Sequence, residues 1–540
     1  MAALRVLMAA SEVTPLAQTG GLGEAVGALA RALRRQGHDV RVVLPGYTVA
    51  ERAAQAAGVP LATRVERLWV PLGDRIEMSA VREAALPGAV PAYLLSHERY
   101  YHREELYSTA QGDYADNAER FIYFSRSILE LARALDFVPD VIHCHDWQTG
   151  LVPAYLKLVY AGERAFAATG TVCTVHTLAY QGLFWHYDMH LIGLSWDIFT
   201  PEGIEFYGKI NLLKAGLVYG DAVVVPSPRY AQEIQTPEHG YGLEGVLRAR
   251  APDLHGILHG LDTETWDPRN DPHLAAPYGP QDPAGKGACR EALLRAAGLP
   301  GAPDAPLLGW LGPLTAARGG DLFLGAVEGL LGMGARIVAC GVDTGEMGRS
   351  LAQAAARHPE RVAILRETGN DPGPIHRLIA GCDMLVCPSR SEPSGTSALA
   401  ALRYGTVSLA RAAGALADAV TNYDPKTRHG TGFVFRDAST EDLLRAAQRA
   451  FRARRQRPEW SALVRRAMEH DVGWDRPAQA YADLYARVVA KRAGPDGGDR
   501  ALTVAVGAGQ QPARLPRGAP SASTLHKGQA GRRAVVNKEA

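Results

Sequence analysis

Four short segments carry side chains whose types and spacing suit chemistry. His143-Cys144-His145-Asp146-Trp147 closes an apolar run, and its two histidines share one face at the two-residue period of a strand. That spacing raises a metal pair as one reading, but no matching cluster of carboxylates or histidines accompanies it elsewhere, so no metal is expected. Asp146 suits a ligand cleft better than a core, because an unpaired buried carboxylate is costly. His176 ends the run TVCTVH in the same way. Gln18-Thr19-Gly20-Gly21-Leu22-Gly23 opens a helical stretch, and the backbone N–H groups of such a loop can approach a diphosphate closely. Gly21, Gly23 and Gly27 imitate a dinucleotide fingerprint. That fingerprint should follow directly on a strand, whereas about ten residues intervene here, which argues against a nicotinamide cofactor. Ser391-Glu392-Pro393-Ser394-Gly395-Thr396-Ser397 follows another apolar run, where a Glu can hold sugar hydroxyls and the next helix start can take phosphate. Plainer readings stand beside each: tight turns, polar strand ends and a capped helix with Pro near its start.

The elements that must position these residues alternate along the chain. LRVLMAAS (4–11), GEAVGALARALRRQGH (23–38) and DVRVVLPG (39–46) form a strand–helix–strand unit, with Val26, Leu29, Ala30 and Leu33 at helical spacing and Gly37 as the stop. Further strands are expected at 140–146, 170–176, 221–227, 256–262, 306–312, 335–341, 361–367 and 383–389. Most are continuous apolar runs, the pattern of parallel strands covered on both faces. The fold class is therefore α/β, with doubly wound Rossmann-like sheets whose ligands sit beyond the carboxyl ends of the strands. A stretch rich in Pro, Gly and Asp separates two halves. The expected divisions are an N-terminal Rossmann-like domain at 1–270, a hinge at 271–305 and a C-terminal Rossmann-like domain at 306–473. A helix at 474–492 and a Gly-, Pro- and Ser-rich disordered tail at 493–540 follow. The interdomain cleft is the natural site.

The chain's 540 residues are enough for two or three domains, and 47% hydrophobic with 21% charged residues is an ordinary globular balance. Lys+Arg number 58 against 57 Asp+Glu, so there is no bulk basic field for nucleic acid or an anionic membrane. An anionic ligand must be held locally. Six cysteines without a CxxC pair suit a reducing compartment rather than a disulfide scaffold. No apolar run reaches the roughly 18 residues of a membrane span. Arg5 interrupts the N-terminal apolar stretch, which reads as a first strand rather than a signal peptide. A cytoplasmic location is expected.

Taken together, the segments resemble one family, the bacterial glycogen and plant starch synthases, over residues 4 to about 489. The resemblance is carried by TGGL (19–22), DNAERF (116–121), HCHDWQTGL (143–151), TVHTLAYQGLF (174–184), NLLKAGL (211–217) and HGYGLEGVL (239–247). PLTAARGGDL (313–322), PSRSEPSG (388–395) and GTGFVF (430–435) continue it. It implies a GT-B fold of two facing Rossmann-like domains and no cofactor. It also implies retaining transfer of glucose from a nucleotide-sugar, usually ADP-glucose, to the 4-hydroxyl end of an α-1,4-glucan. Asp146 and His176 would line the glucose site and Glu392 would hold sugar hydroxyls. Arg318 would face the diphosphate, with backbone donors at Gly20, Gly21, Gly395 and Thr396 beside Thr19.

The chain departs from this family at its phosphate-facing cations. The family Lys before TGGL is Gln18, and the Arg and Lys of S-R-L-x-x-Q-K-G fall on Pro313 and Arg318. Pro has no donor, and the planar fork of Arg does not interchange with an ammonium. Arg411 and Lys214 are other cations that could take these places. Thr177, His259, Ser394 and Ala415 also replace family residues. An active transferase is the leading expectation. The alternative is a catalytically impaired glucan- or nucleotide-sugar-binding relative, associated with an active glycogen synthase.

Overall fold

The computed structural model describes residues 2–365 and 371–493. The tail expected at 493–540 lies, from residue 494 on, outside the described residues. Two sheets organise the rest. The first has nine strands, in the order, by first residue, Leu254, Ala222, Gly170, Val141, Arg5, Asp39, Val90, Arg75 and Ala62. Its first seven strands run parallel. The second has six parallel strands, in the order Val362, Arg336, Leu307, Met384, Val407 and Gly432. Both read as doubly wound, because their central apolar strands are buried on both faces.

Local chemistry explains the first unit. The helix Gly21–Arg35 buries Val26, Leu29, Ala30 and Leu33 against the sheet, carries Arg34 and Arg35 in its last turn, and ends at Gln36. Gly37, at φ +92°, then makes the left-handed turn into Asp39–Pro45. Two expectations need correction. The strand placed at 256–262 is instead Leu254–Gly256. From Ile257 the chain leaves the sheet, and the Leu261 amide bonds to the Val472 carbonyl at 2.6 Å. Leu261 thus belongs to the core of the second sheet. The antiparallel hairpin Ala62–Leu72 with Arg75–Leu86 was not expected at all. It is a period-two element at the sheet edge, with one face covered and one wet.

The two crossings between the sheets run side by side. Beyond the outgoing one, Asp262 pairs with Arg31 at 2.6 Å, and Trp266 Nε1 donates to Glu24 of the first helix at 2.9 Å. After the returning one, the helix Asp475–Ala493 lies on the first sheet, where Tyr481, Leu484, Tyr485 and Val488 enter its core. Tyr485 is fully buried, and its hydroxyl lies 2.7 Å from His143 Nδ1. The terminal helix is therefore part of the N-terminal core despite its distance in sequence.

Among the described residues no helix is long and apolar enough to cross a membrane. All six cysteines are buried. Truncating Tyr485 to Ala should cost about 3–5 kcal/mol of stability in urea melts, as large-to-small core changes do. Tyr485→Phe should cost about 1–2 kcal/mol, the worth of one buried hydrogen bond.

Candidate active site

The strand Val141–His145 delivers Asp146 to its carboxyl end in an unusual conformation. Asp146 has φ +55° and ψ −171°, a region that L-residues rarely occupy. This bend turns its carboxylate toward the neighbouring strand end, where Oδ1 accepts the His176 amide at 2.7 Å. Burial pushes the Asp146 carboxyl up to about 7. The His176 and Thr177 amides oppose the shift, and the nearby Glu12 carboxylate adds to it. Glu12, missed in the sequence, is buried after the first strand and ties the glycine loop down. It accepts the Thr19 amide and hydroxyl at 2.5 and 2.8 Å and the Tyr107 hydroxyl at 2.7 Å. The backbone N–H of Thr19 is thereby spent within the protein. Gln18 is exposed and bonds the Gly20 carbonyl, and Gly20 and Gly21 stand at the helix start. The signal for Glu12 was present as a charged residue just beyond a strand's carboxyl end.

His176 sits within a cluster of imidazoles. Its Nε2 lies 3.0 Å from His145 Nδ1, and its ring centre 5.3 Å from that of His259. His143 and His145 stack tilted at 4.0 Å. Burial pushes His176 and His143 down to about 3 and holds His145 and His259 well below the ordinary histidine range. The rings are therefore neutral at physiological pH. The histidine pair of the sequence is thus a set of hydrogen-bonded rings. Among the described residues no group of three or more His, Cys, Asp or Glu could hold a metal ion.

The second sheet supplies the other face. Glu392 follows the strand Met384–Cys387 and is held at both oxygens, by Ser389 Oγ at 3.0 Å and by the Gly395 amide at 3.2 Å. Gly395, at φ +64°, caps the helix Thr396–Arg403. Its N–H already belongs to Glu392, which leaves the Thr396 N–H as the donor at that helix start. Arg318 follows the strand Leu307–Leu311, and its Nη1 lies 3.3 Å from the Leu311 carbonyl. It lines one small cavity with Glu392, Gly395 and Ser397. Pro313 is exposed nearby in sequence and offers no donor. The other two cations do not substitute. Arg411 is spent on the Ser389, Arg390 and Arg436 carbonyls, and Lys214 Nζ on those of Pro201 and Glu205 at 2.5 and 2.6 Å.

One short helix, Pro228–Glu233, joins the two faces. Its Tyr230 hydroxyl receives the Leu178 amide at 3.3 Å, two residues beyond His176. Its Glu233 accepts the Gly414 amide at 3.0 Å, and the adjacent Ala415 amide donates to the Glu392 carbonyl at 2.8 Å. The Arg229 amide bonds Asp418 at 2.8 Å beside them. Strand ends of both sheets thus converge on one cleft.

Comparison with known proteins agrees with this geometry. Residues 5–249 match the family described as starch synthase catalytic domain, and residues 301–466 match glycosyl transferases group 1. A glycogen synthase of Anaeromyxobacter sp. (strain Fw109-5) is 44% identical over 491 residues, covering 90% of this chain and 100% of the relative. The chain belongs to the glycogen synthase family. A glycogen synthase 2 of Geobacter sulfurreducens is 41% identical over 501 residues, 91% of this chain and all of its own. Among solved structures, the catalytic domain of starch synthase IV from Arabidopsis thaliana, bound to ADP and acarbose, matches with a TM-score of 0.82. It is 29% identical and covers 91% of this chain and 100% of its own. The sucrose-phosphate synthase of Thermosynechococcus elongatus, at 15% identity and TM-score 0.55, shares the fold. The architecture is GT-B, and glycogen synthase membership makes the chain a glucosyltransferase. The alternative of an impaired binding relative finds no support in these relatives.

The raised Asp146 carboxyl predicts a stability effect of definite sign. Between its unfolded value near 3.8 and its folded value of about 7, the native state binds the extra proton, so this group's contribution falls as pH rises through that window. Asp146→Asn should therefore gain stability over the wild type at pH 8 relative to pH 4. Urea melts at the two pH values check this.

Proposed function

We propose that the chain transfers glucose from ADP-glucose to the non-reducing 4-hydroxyl end of an α-1,4-glucan, with retention at the anomeric carbon. The observation that carries this reading is the shared cavity of Arg318 and Glu392 at the carboxyl ends of the second sheet. There a guanidinium for the diphosphate stands beside a carboxylate for sugar hydroxyls. The starch synthase structure bound to ADP and acarbose supports the choice of nucleotide and glucan. On this reading the C-terminal half, with Arg318, Glu392 and the Gly395-Thr396 helix start, takes the nucleotide-sugar. The N-terminal half, with Asp146 and His176, lines the glucose and faces the acceptor, and Thr19, Gly20 and Gly21 border the diphosphate.

Departure of ADP builds negative charge on the leaving phosphate, and preorganised donors in a water-poor site stabilise it most. With Gln18 neutral and Pro313 without a donor, that work falls to Arg318, the Thr396 N–H and the Gly20–Gly21 amides. The planar fork of Arg318 can bond two phosphate oxygens at once.

The acceptor side has apolar faces suited to sugar rings. In the strand Leu183–Trp185, Phe184 packs on Trp147 at 5.6 Å beside Asp146, so its neighbours point out and Trp185 is 65% exposed. Tyr187 stacks edge-on with it at 4.5 Å, and Trp196 and Tyr207 are exposed nearby in sequence. Grouped exposed aromatics of this kind mark binding surfaces.

Purified protein supplied with glycogen and labelled ADP-glucose, with UDP-glucose in parallel, should incorporate label from ADP-glucose. Glu392→Ala should abolish incorporation, and Arg318→Ala should lower kcat/KM by about 10²–10³-fold, the usual cost of one preorganised charge donor. Unchanged turnover in Arg318→Ala would count against the assignment. Trp185→Ala should raise KM for glycogen while leaving kcat little changed, read from initial rates over a glycogen series.

A further inference from the structure

The buried imidazoles contain a polar ledger that decides a proton's place. His145 is 1% exposed, and its Nε2 is buried without a hydrogen-bond partner. Its Nδ1 lies 3.0 Å from His176 Nε2. A neutral imidazole has one N–H and one bare nitrogen. If His176 donated from Nε2, His145 would have to accept at Nδ1 and carry its own hydrogen on Nε2, as an orphaned buried N–H. Such donors are rarer in native proteins than unfilled acceptors. With the hydrogen on Nδ1 instead, His145 donates to His176 Nε2, and the unpartnered atom is a bare nitrogen. His176 must then carry its hydrogen on Nδ1, where no protein group among the described residues bonds to it.

We propose that His145 is a positioning residue that locks His176 in its Nδ1–H tautomer, so that His176 meets the substrate as a hydrogen-bond donor. This rests on the reading that His176 lines the glucose site. The surroundings hold the arrangement. Rotation of the His145 ring is limited by His143 stacked at 4.0 Å, and His143 is itself pinned by Thr174 Oγ1 and the Tyr485 hydroxyl, each at 2.7 Å. His259, 5.3 Å from His176, sits between it and Trp474 at 5.1 Å. The groups facing the pair are thus imidazoles, hydroxyls and an indole, with Asp146 the nearest carboxyl, bonded to the His176 amide at 2.7 Å. Burial pushes both histidines toward the neutral form, helped at His145 by the neighbouring rings, and an unchanging tautomer requires neutrality.

The test uses the full chain labelled with ¹⁵N-histidine. Nitrogen resonances of His176, assigned by their loss in His176→Gln, should show a protonated Nδ1 and a bare Nε2 across neutral pH. A protonated Nε2 on His176 in the wild type would overturn the proposal. Kinetics give a second reading: His145→Phe removes the donor and should lower kcat about 10–100-fold, the usual cost of losing an orienting partner, with little change in KM for ADP-glucose. His145→Gln keeps an N–H and should restore most of the loss. Equal losses in Gln and Phe, or none in either, would also overturn it. Should His145→Phe not fold, the wild-type resonances still decide. The tautomer is read without turnover, so an inactive protein with Nδ1–H on His176 would sink the transferase reading while leaving the locking of His176 by His145 in place, and an active protein with Nε2–H would do the reverse.

Discussion

Glu233 accepts the Gly414 amide from the other half of the site, and with the Arg229 amide on Asp418 it ties the two faces to one short helix. Gly414, at φ +44°, has no room for a side chain, because a Cβ there would run into the Glu392 carbonyl. The same helix that carries Glu233 reaches Leu178 through Tyr230. A six-residue helix therefore relays the position of His176 and Asp146 to the loop bearing Glu392. Proximity effects in catalysis fall steeply with small misplacements, so a link this short and this hydrogen-bonded is what a site split between two sheets requires.

A second constraint is desolvation. Four imidazoles and the Asp146 carboxyl lie where charge is costly, and the fold answers by keeping the rings neutral and by spending hydroxyls and amides on their nitrogens and oxygens. The terminal helix takes part through Tyr481 and Tyr485, which complete the cluster from more than 300 residues away in sequence. Charge is admitted on the opposite face, where Arg318 stands beside Glu392. On the proposed reading, the neutral, hydrogen-bonding face would meet the sugar and Arg318 on the other face would meet the diphosphate.

Much of this was legible in the sequence because doubly wound sheets place function at strand ends. HCHD, TVH and SEPSG each close an apolar run, so Asp146, His176 and Glu392 announced themselves by position as well as by type. Arg318 followed from its register within PLTAARGG. Tyr230 and Glu233 are single residues whose roles exist through partners far along the chain, and no local pattern marks them. The hairpin at 62–86 alternates at period two at an edge with one wet face, a weaker signal than the continuous runs of the parallel strands. The misplaced strand at 256–262 is apolar because Leu261 packs in the other sheet's core, so its composition reported burial without reporting which sheet buried it.

The proposed function turns on two assignments, Arg318 of the C-terminal face to the nucleotide and Asp146 of the N-terminal face to the sugar. Calorimetric titration of ADP into the wild type, Arg318→Ala and Asp146→Asn tests them most directly. The account predicts that Arg318→Ala weakens ADP binding by about tenfold or more, the worth of one charge-assisted bond, while Asp146→Asn binds ADP as the wild type does. ADP affinity lost in Asp146→Asn and retained in Arg318→Ala would contradict it.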